Sequence, residues 1–206
     1  MKMARMAVGP LGVNCYIVYN EETKKAFIVD PGGDAKRIIQ KIESMELEVE
    51  AILLTHGHFD HILGVDELRK YFGVKVYLGE NDSELIQDGE RNISAMFGRP
   101  FATKADVMLK DGQELTLAGI NIQVIGTPGH TPGGVSYYLK DEEIAFSGDS
   151  LFQGSIGRTD FPDGSASTLV ASIKTKLLTL PGDTQLFPGH GDSTVVEYEK
   201  QYNPFL

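Results

Sequence analysis

The chain has 206 residues, of which 41% are hydrophobic and 23% charged, a composition typical of globular proteins and unlike disordered or fibrous ones. Its 19 basic and 29 acidic side chains give a formal net charge of −10, which disfavours nucleic acid and anionic membranes as partners. Cys15 is the only cysteine, so no intrachain disulfide can form, and no apolar run is long enough to span a membrane. We therefore expect a cytoplasmic protein with neither nucleic acid nor membrane as a partner.

The first part of the chain alternates short strands with two helices. Apolar residues at helical spacing predict a helix over Asp34–Met45, with Asp34 as its N-cap, and a second helix over Val65–Phe72. Apolar and β-branched runs between turn residues predict strands over Met3–Val8, Asn14–Tyr19, Ala26–Val29, Val49–Leu54 and Val74–Leu78.

Strands dominate the second part of the chain. Before them, Glu80–Phe97 is predicted to be helical in pieces, with a break near Asp88 and Gly89. We expect Ala166–Thr179 to be the last long helix, and of the neighbouring Tyr137 and Tyr138 we expect one in the core. The predicted strands are Glu114–Leu117, Ile120–Ile125, Gly134–Leu139, Glu143–Phe146 and Thr184–Phe187. Two mixed sheets with helices on their outer faces would bury these strands on both sides.

The segment His56–His61 carries three histidines and an aspartate directly after a predicted strand. Side chains alternate along a strand with a period of two, so His56 and His58 can point to the same side. Asp60 and His61 follow at the start of a helix, and their side chains can face a second position next to the one that His56 and His58 face. One short loop therefore offers two pairs of ligands, enough to begin two metal sites.

The other two histidines and a further aspartate repeat this arrangement. Each follows an apolar strand and a glycine: His130, Asp149 and His190. Side chains at strand ends sit on rigid supports and can converge at one edge of a sheet. A lone histidine beside a strand is usually a core or surface residue, but all five histidines of this chain lie in such loops. We therefore interpret them as metal ligands.

These residues, together with Val29-Asp30-Pro31-Gly32, resemble the metallo-β-lactamase superfamily over essentially the whole chain. The resemblance implies an α+β fold, a four-layer αββα sandwich with metals at one edge of the two sheets. It further implies that a first metal would be held by three histidines, namely His56, His58 and His130. A second metal would be held by Asp60, His61 and His190, and Asp149 would bridge both.

The same resemblance places Asp30 close to the site, in a supporting position without contact to metal. Two divalent metal ions per chain are implied, and we expect zinc, although iron and manganese also suit histidine and carboxylate ligands. The implied partner is a small-molecule acyl substrate. The sequence leaves the oligomeric state open.

Further segments resemble short bacterial glyoxalase II-like hydrolases, namely Gly157–Phe161, Gly189–Asp192 and Asn203–Phe205. The implied reaction is metal-dependent hydrolysis of a thioester of a small thiol by a metal-activated hydroxide, which Asp60 would help to orient. Glyoxalase II proper has an additional helical domain that supplies basic residues for glutathione. Few residues follow His190, so we expect a single domain over residues 1–206, without that helical domain and with little preference for glutathione.

Two related activities remain open alternatives. Persulfide dioxygenases share the histidine framework and a segment like Arg158–Phe161, but they use one iron and oxygen. Lactonases of the same superfamily share nearly all the ligands. Secreted β-lactamases are disfavoured, because Cys15 is far from the ligand motifs and no export signal is evident.

Arg158 has two alternative roles. Its planar guanidinium could bind the carboxylate of an anionic substrate in two places. It could instead pair with Asp160 or Asp163 and brace its own loop. We favour the loop-bracing role.

Overall fold

Two six-stranded mixed sheets form the centre of this computed structural model, which describes residues 1–206. The strands of the first sheet lie in chain order: β1 Lys2–Val8, β2 Val13–Tyr19, β3 Lys25–Val29, β4 Glu48–Leu53, β5 Lys75–Gly79 and β6 Val107–Leu109. The second sheet has the order β14-β13-β10-β9-β8-β7, formed by β7 Glu114–Leu117, β8 Ile120–Gly126, β9 Val135–Leu139, β10 Ile144–Gly148, β13 Gln185–Pro188 and β14 Thr194–Val195. A separate hairpin pairs β11 Leu151–Phe152 with β12 Ser155–Ile156.

Five α-helices accompany the sheets: α1 Ala35–Ser44, α2 Phe59–Ile62, α3 Val65–Phe72, α4 Ala166–Thr175 and α5 Val196–Tyr202. Short 3₁₀ helices span Glu80–Asp82, Leu85–Gln87, Ser94–Phe97, Lys140–Glu142 and Leu177–Thr179. No helix has both the length and the apolar character that crossing a bilayer requires.

The layers follow from the alternation of side chains along the strands. On β3, Ala26 and Ile28 pack in a cluster with the apolar faces of α1 and α3, whereas Phe27 and Val29 pack in the layer between the two sheets. On β10, Phe146 faces that central layer and Ala145 packs with α4 and α5. Helices therefore cover the outer face of each sheet, and the predicted α+β fold, a four-layer αββα sandwich, is confirmed.

Three local predictions differ from the structure. Asp34 occupies the N-cap position of α1, but its side chain makes no capping bond. It instead accepts from the backbone N–H of Gly9 at 3.2 Å and pairs with Arg37 at 2.8 Å. The helix predicted over Ala166–Thr179 ends at Thr175 and continues only as a 3₁₀ turn.

Both tyrosines of β9 are buried, so the prediction that one of them is core was incomplete. Tyr137 packs between the sheets and Tyr138 packs against the helical layer behind the second sheet. A sheet covered on both faces gives a buried environment to consecutive residues, which removes the polar alternation that the prediction used.

Strand direction brings the functional loops to one edge. Strands β3, β4 and β5 are parallel neighbours, and β10 is parallel to β13, so their carboxyl ends lie on a common side within each sheet. Hydrogen bonds join the sheets at this edge. Among them, the hydroxyl of Tyr137 donates to the carbonyl of Leu54 at 2.6 Å, and the N–H of Val135 donates to the carbonyl of Thr55 at 2.8 Å. The two sets of strand ends therefore meet at the same edge of the sandwich.

We expect Tyr137→Phe to lower the free energy of unfolding by about 1–3 kcal/mol, because it leaves the buried carbonyl of Leu54 without this donor. Tyr138→Phe is the matched control, since that neighbouring tyrosine is also buried but its hydroxyl makes no protein hydrogen bond. Urea unfolding of both variants under identical metal conditions measures the difference. Equal stabilities of the two variants would show that the hydroxyl contributes nothing to the contact between the sheets.

Candidate metal centre

The structure brings together all seven residues that the sequence predicted as ligands. Their nitrogen and oxygen atoms form three overlapping groups in which all the ligand atoms lie within 4.8 Å of one another. The groups are His56, His58 and His130, then His56, His61 and Asp149, and finally Asp60, His61 and His190. Two of these groups match the two predicted sets of metal ligands.

The first group consists of three buried imidazoles. Nδ1 of His58 lies 2.9 Å from Nε2 of His130. Burial, together with the charge of His130, lowers the pKa of His58 to about 3, and burial also lowers the pKa of His56 well below its ordinary value. Neutral imidazoles keep a nitrogen lone pair, which is the form that binds metal.

The second group combines imidazoles with a carboxylate. Oδ2 of Asp60 lies 3.0 Å from Nε2 of His190 and 3.8 Å from Nε2 of His61. Burial opposes the ionised form of Asp60, but His61 and His190 outweigh this effect and lower its pKa. Asp60 is therefore a carboxylate, the ionisation state of a metal ligand.

Asp149 lies between the two groups. Its Oδ1 is 3.4 Å from Nε2 of His61, and its Oδ2 is 3.7 Å from Nε2 of both His130 and His190. Burial alone would raise the pKa of Asp149, but the neighbouring histidines, His61 first among them, hold it below its usual range. Oδ2 of Asp149 thus lies near one histidine of each group, and Oδ1 lies near a second histidine of the Asp60 group.

The second nitrogen of two imidazoles is held by neighbouring oxygens. Nδ1 of His130 is 2.7 Å from the carbonyl of Arg158, to which it can only donate. Nδ1 of His56 is 3.1 Å from the hydroxyl of Thr55, which itself donates to Asp30 at 2.7 Å. Such contacts fix the tautomer of a metal-binding histidine and direct its other nitrogen toward the metal.

Asp30 supports the cluster from behind, in the position that the sequence suggested. Its carboxylate also accepts the backbone N–H of Thr55 at 2.7 Å, and it lies 3.0 Å from Nδ1 of His61. It is buried, with a backbone φ of 49°. Asp30 therefore contacts both ends of the segment that carries His56–His61.

The chemistry of these donors fits metal ions. The buried atoms Nε2 of His56, Nε2 of His61 and Oδ1 of Asp149 have no hydrogen-bond partner within the protein. Gly189 passes close to them, since a Cβ at this position would lie 2.3 Å from Oδ1 of Asp149. Unpaired polar atoms and buried carboxylates destabilise a protein interior unless they are compensated. The cluster is a metal-binding site of histidines and aspartates.

Asp82 is a further residue of the site that sequence reasoning missed. Its buried carboxylate accepts the N–H of Gly57 at 2.9 Å, between His56 and His58. It also accepts hydrogen bonds from the hydroxyl of Thr131 at 2.8 Å and from the N–H of Gly133 at 2.6 Å. Both donors lie in the loop that follows His130. One carboxylate therefore ties together the two loops of the first group. The sequence did contain one signal for Asp82: it follows strand β5, just as Asp30 follows strand β3 at the same edge of the sheet.

The cluster lies at the floor of a cavity of about 460 Å³. Arg158 is at its rim, where Nε and Nη2 pair with the two oxygens of Asp160 at 3.0 and 2.9 Å. Asp163 instead pairs with Arg91 at 3.0 Å. The loop-bracing contact with Asp160 is therefore the one that the structure contains.

We expect Asp82→Asn to weaken metal binding by about tenfold or more, because an amide presents one acceptor fewer to the donors of the two loops. Titration of the metal-free variant with Co²⁺, followed by visible absorption, measures this change. Asp88→Asn is the control, since that exposed carboxylate caps only its own turn. An unchanged cobalt affinity in a folded Asp82→Asn protein would contradict the positioning role.

Comparison with known proteins agrees with this geometry. The family model of the metallo-β-lactamase superfamily matches residues 8–190. The chain is 44% identical to the probable metallo-hydrolase YqgX of Bacillus subtilis, over 100% of this chain and 98% of that protein. It is 41% identical to the hydroxyacylglutathione hydrolase GloC of Haemophilus influenzae, over 94% of this chain and 92% of that protein.

Solved structures show the same likeness. The BLEG-1 B3 metallo-β-lactamase superimposes with a TM-score of 0.95 at 43% identity, covering 100% of this chain and 99% of that one. TTHA1623 in a di-iron-bound form superimposes with a TM-score of 0.86 at 36% identity, covering 98% of this chain and 100% of that one. ETHE1 from Myxococcus xanthus superimposes with a TM-score of 0.83 at 30% identity, covering 99% of this chain and 84% of that one. With its fold, its histidine and aspartate cluster and these matches, the chain belongs to the metallo-β-lactamase superfamily.

Proposed function

We propose that the seven clustered side chains hold two divalent metal ions. In this proposal one ion is bound by His56, His58 and His130, and the other by Asp60, His61 and His190. Asp149, whose Oδ2 lies 3.7 Å from a histidine of each group, would bridge them. We expect zinc, with iron or manganese as alternatives, and the di-iron form of the similar TTHA1623 shows that iron deserves a direct test.

We further propose that the protein hydrolyses thioesters of small thiols. The observation that supports this most directly is the pair of ligand groups on the floor of an open cavity, where a small acyl substrate can reach both. The similarity to GloC, a hydroxyacylglutathione hydrolase at 41% identity, supports this class of substrate.

The reaction adds water to the thioester carbonyl and breaks the carbon–sulfur bond, giving a carboxylic acid and a thiol. Divalent metals supply such a site with a water of lowered pKa and with polarisation of the carbonyl oxygen. Asp60, ionised and at the cavity wall, orients the attacking water by accepting its hydrogen. His130 is kept in a fixed tautomer by the carbonyl of Arg158, and Asp82 holds the loops that position His58 and His130.

We expect elemental analysis of protein supplied with excess metal to give two ions per chain. Asp149→Ala should lower the occupancy of both sites, whereas His190→Ala should mainly lose one ion, because His190 contacts only the second group and the bridging aspartate. Asp192→Ala is the control, since this neighbouring side chain is 82% exposed. One ion per chain at saturation, or full metal content in Asp149→Ala, would contradict the assignment.

The test of the reaction class separates hydrolysis from oxidation. A thioester is supplied under anaerobic conditions and released thiol is titrated, and glutathione persulfide is then supplied in air while oxygen is followed. We expect thiol release without oxygen uptake, and activity with zinc or manganese as well as iron. Iron-dependent oxygen consumption on the persulfide, with no thioester cleavage, would favour the dioxygenase alternative that the segment Arg158–Phe161 left open.

Hydrolysis of β-lactams is the second candidate, because one specific observation favours it. The BLEG-1 B3 metallo-β-lactamase matches the whole chain at 43% identity. The same metal-loaded protein should therefore be assayed with a chromogenic cephalosporin and a simple lactone beside the thioester. Faster turnover of either compound than of every thioester would replace the proposed substrate class.

A further inference from the structure

Part of the lining of the cavity above the metal centre is an apolar surface. It is formed by Leu11, Ile93, Met96 and Phe97, hereafter the apolar wall. Leu11 is 45% exposed, Phe97 53% and Met96 73%, high values for such large apolar side chains. Scattered exposed apolar residues are ordinary, but several that line one cavity indicate a binding surface.

The apolar wall is held firmly against the ligand loop. The ring of Phe97 packs on Phe59 with centroids 4.5 Å apart, and Phe59 begins the helix that carries Asp60 and His61. The N–H of Phe59 also donates to the carbonyl of Asn92 at 3.0 Å, next to Ile93. The wall therefore has a fixed position relative to the proposed metal ligands.

Ile93 has an unfavourable backbone for its residue type. Its φ of 63° and ψ of 6° lie in the left-handed region, where a β-branched side chain is disfavoured and glycine or asparagine is preferred. The side chain is nevertheless apolar, buried and part of the cavity lining. Strain of this kind is concentrated at functional sites, where the position of the side chain matters more than local stability.

The lining of the cavity offers no unpaired lysine or arginine side chain to a charged substrate. Arg158 is the only lysine or arginine in its lining, and its guanidinium is paired with both oxygens of Asp160. The same group lies 4.5 Å over the ring of Phe161. Arg91, on the neighbouring loop, is paired with Asp163. A substrate tail with several carboxylates, such as glutathione, finds no unpaired partner here.

We propose that the cavity selects thioesters with an apolar acyl chain and an uncharged thiol, and that the apolar wall binds the acyl chain. This proposal rests on the thioester hydrolysis proposed above and names its substrate class. An apolar chain covers Met96 and Phe97 and removes both surfaces from water, whereas a short hydroxyacyl group does not.

The experiment compares acyl esters of one uncharged thiol, N-acetylcysteamine, in the series acetyl, butanoyl and hexanoyl, with lactoyl as a polar short chain. We expect kcat/KM to rise about threefold for each methylene that the wall buries, and lactoyl to be no better than acetyl. Acetyl glutathione should be no better than acetyl N-acetylcysteamine. A flat series, or a strong preference for the glutathione thioester, would overturn the proposal. Absence of cleavage in the whole panel would instead contradict thioester hydrolysis itself.

Two variants test whether the acyl chain binds to the apolar wall. Met96→Gln keeps the side-chain length but makes the wall polar, and Met108→Gln is the matched control, since Met108 is 40% exposed and does not line the cavity. We expect Met96→Gln to reduce the ratio of hexanoyl to acetyl kcat/KM by at least threefold at unchanged metal content. Met108→Gln should keep the ratio of the parent protein. The same ratio in both variants would show that the acyl chain binds elsewhere.

Discussion

Compensation of buried charge is the constraint on which the site and its surroundings depend. Asp60 is buried and Asp149 largely buried as carboxylates among five imidazoles, and His56 and His61 direct unpaired nitrogens into the same small volume. Without compensation such a cluster would be strongly destabilising, because neither ions nor unpaired polar atoms are stable in a protein interior. Metal ions resolve this conflict, and the protein holds the donor atoms ready for them.

Strand polarity explains how so many donors meet at one place. Parallel β3, β4 and β5 end at the same edge, so Asp30, His56 and Asp82 follow neighbouring strands on one side of the first sheet. In the second sheet β10 and β13 are parallel, which places Asp149 beside His190. Hydrogen bonds such as that from Tyr16 to the carbonyl of Pro188 join the edges. The fold therefore places the donors at one common edge.

The sequence was informative where the signal was local. The motif His56–His61 is contiguous, and its apolar strand predicted both its position and its role. Asp82 was missed, because its partners Gly57 and Thr131 are distant in sequence and an acidic residue after a strand is common. Helix α5 was missed because one of its buried positions is occupied by Glu199, which accepts a hydrogen bond from the hydroxyl of Thr194. A charged residue at a buried position interrupts the helical spacing of apolar residues on which the prediction depends.

The metal centre and the cavity wall are built from different kinds of structure, and this separates chemistry from specificity. The donors follow strand ends and are locked by Asp30 and Asp82, so a change there disturbs metal binding itself. The apolar wall lies on the β1–β2 turn and on a 3₁₀ segment, which contribute little to the main cores. Loops of this kind accept substitution more readily than strand ends. Substrate preference can therefore change in relatives that keep the same metal ligands.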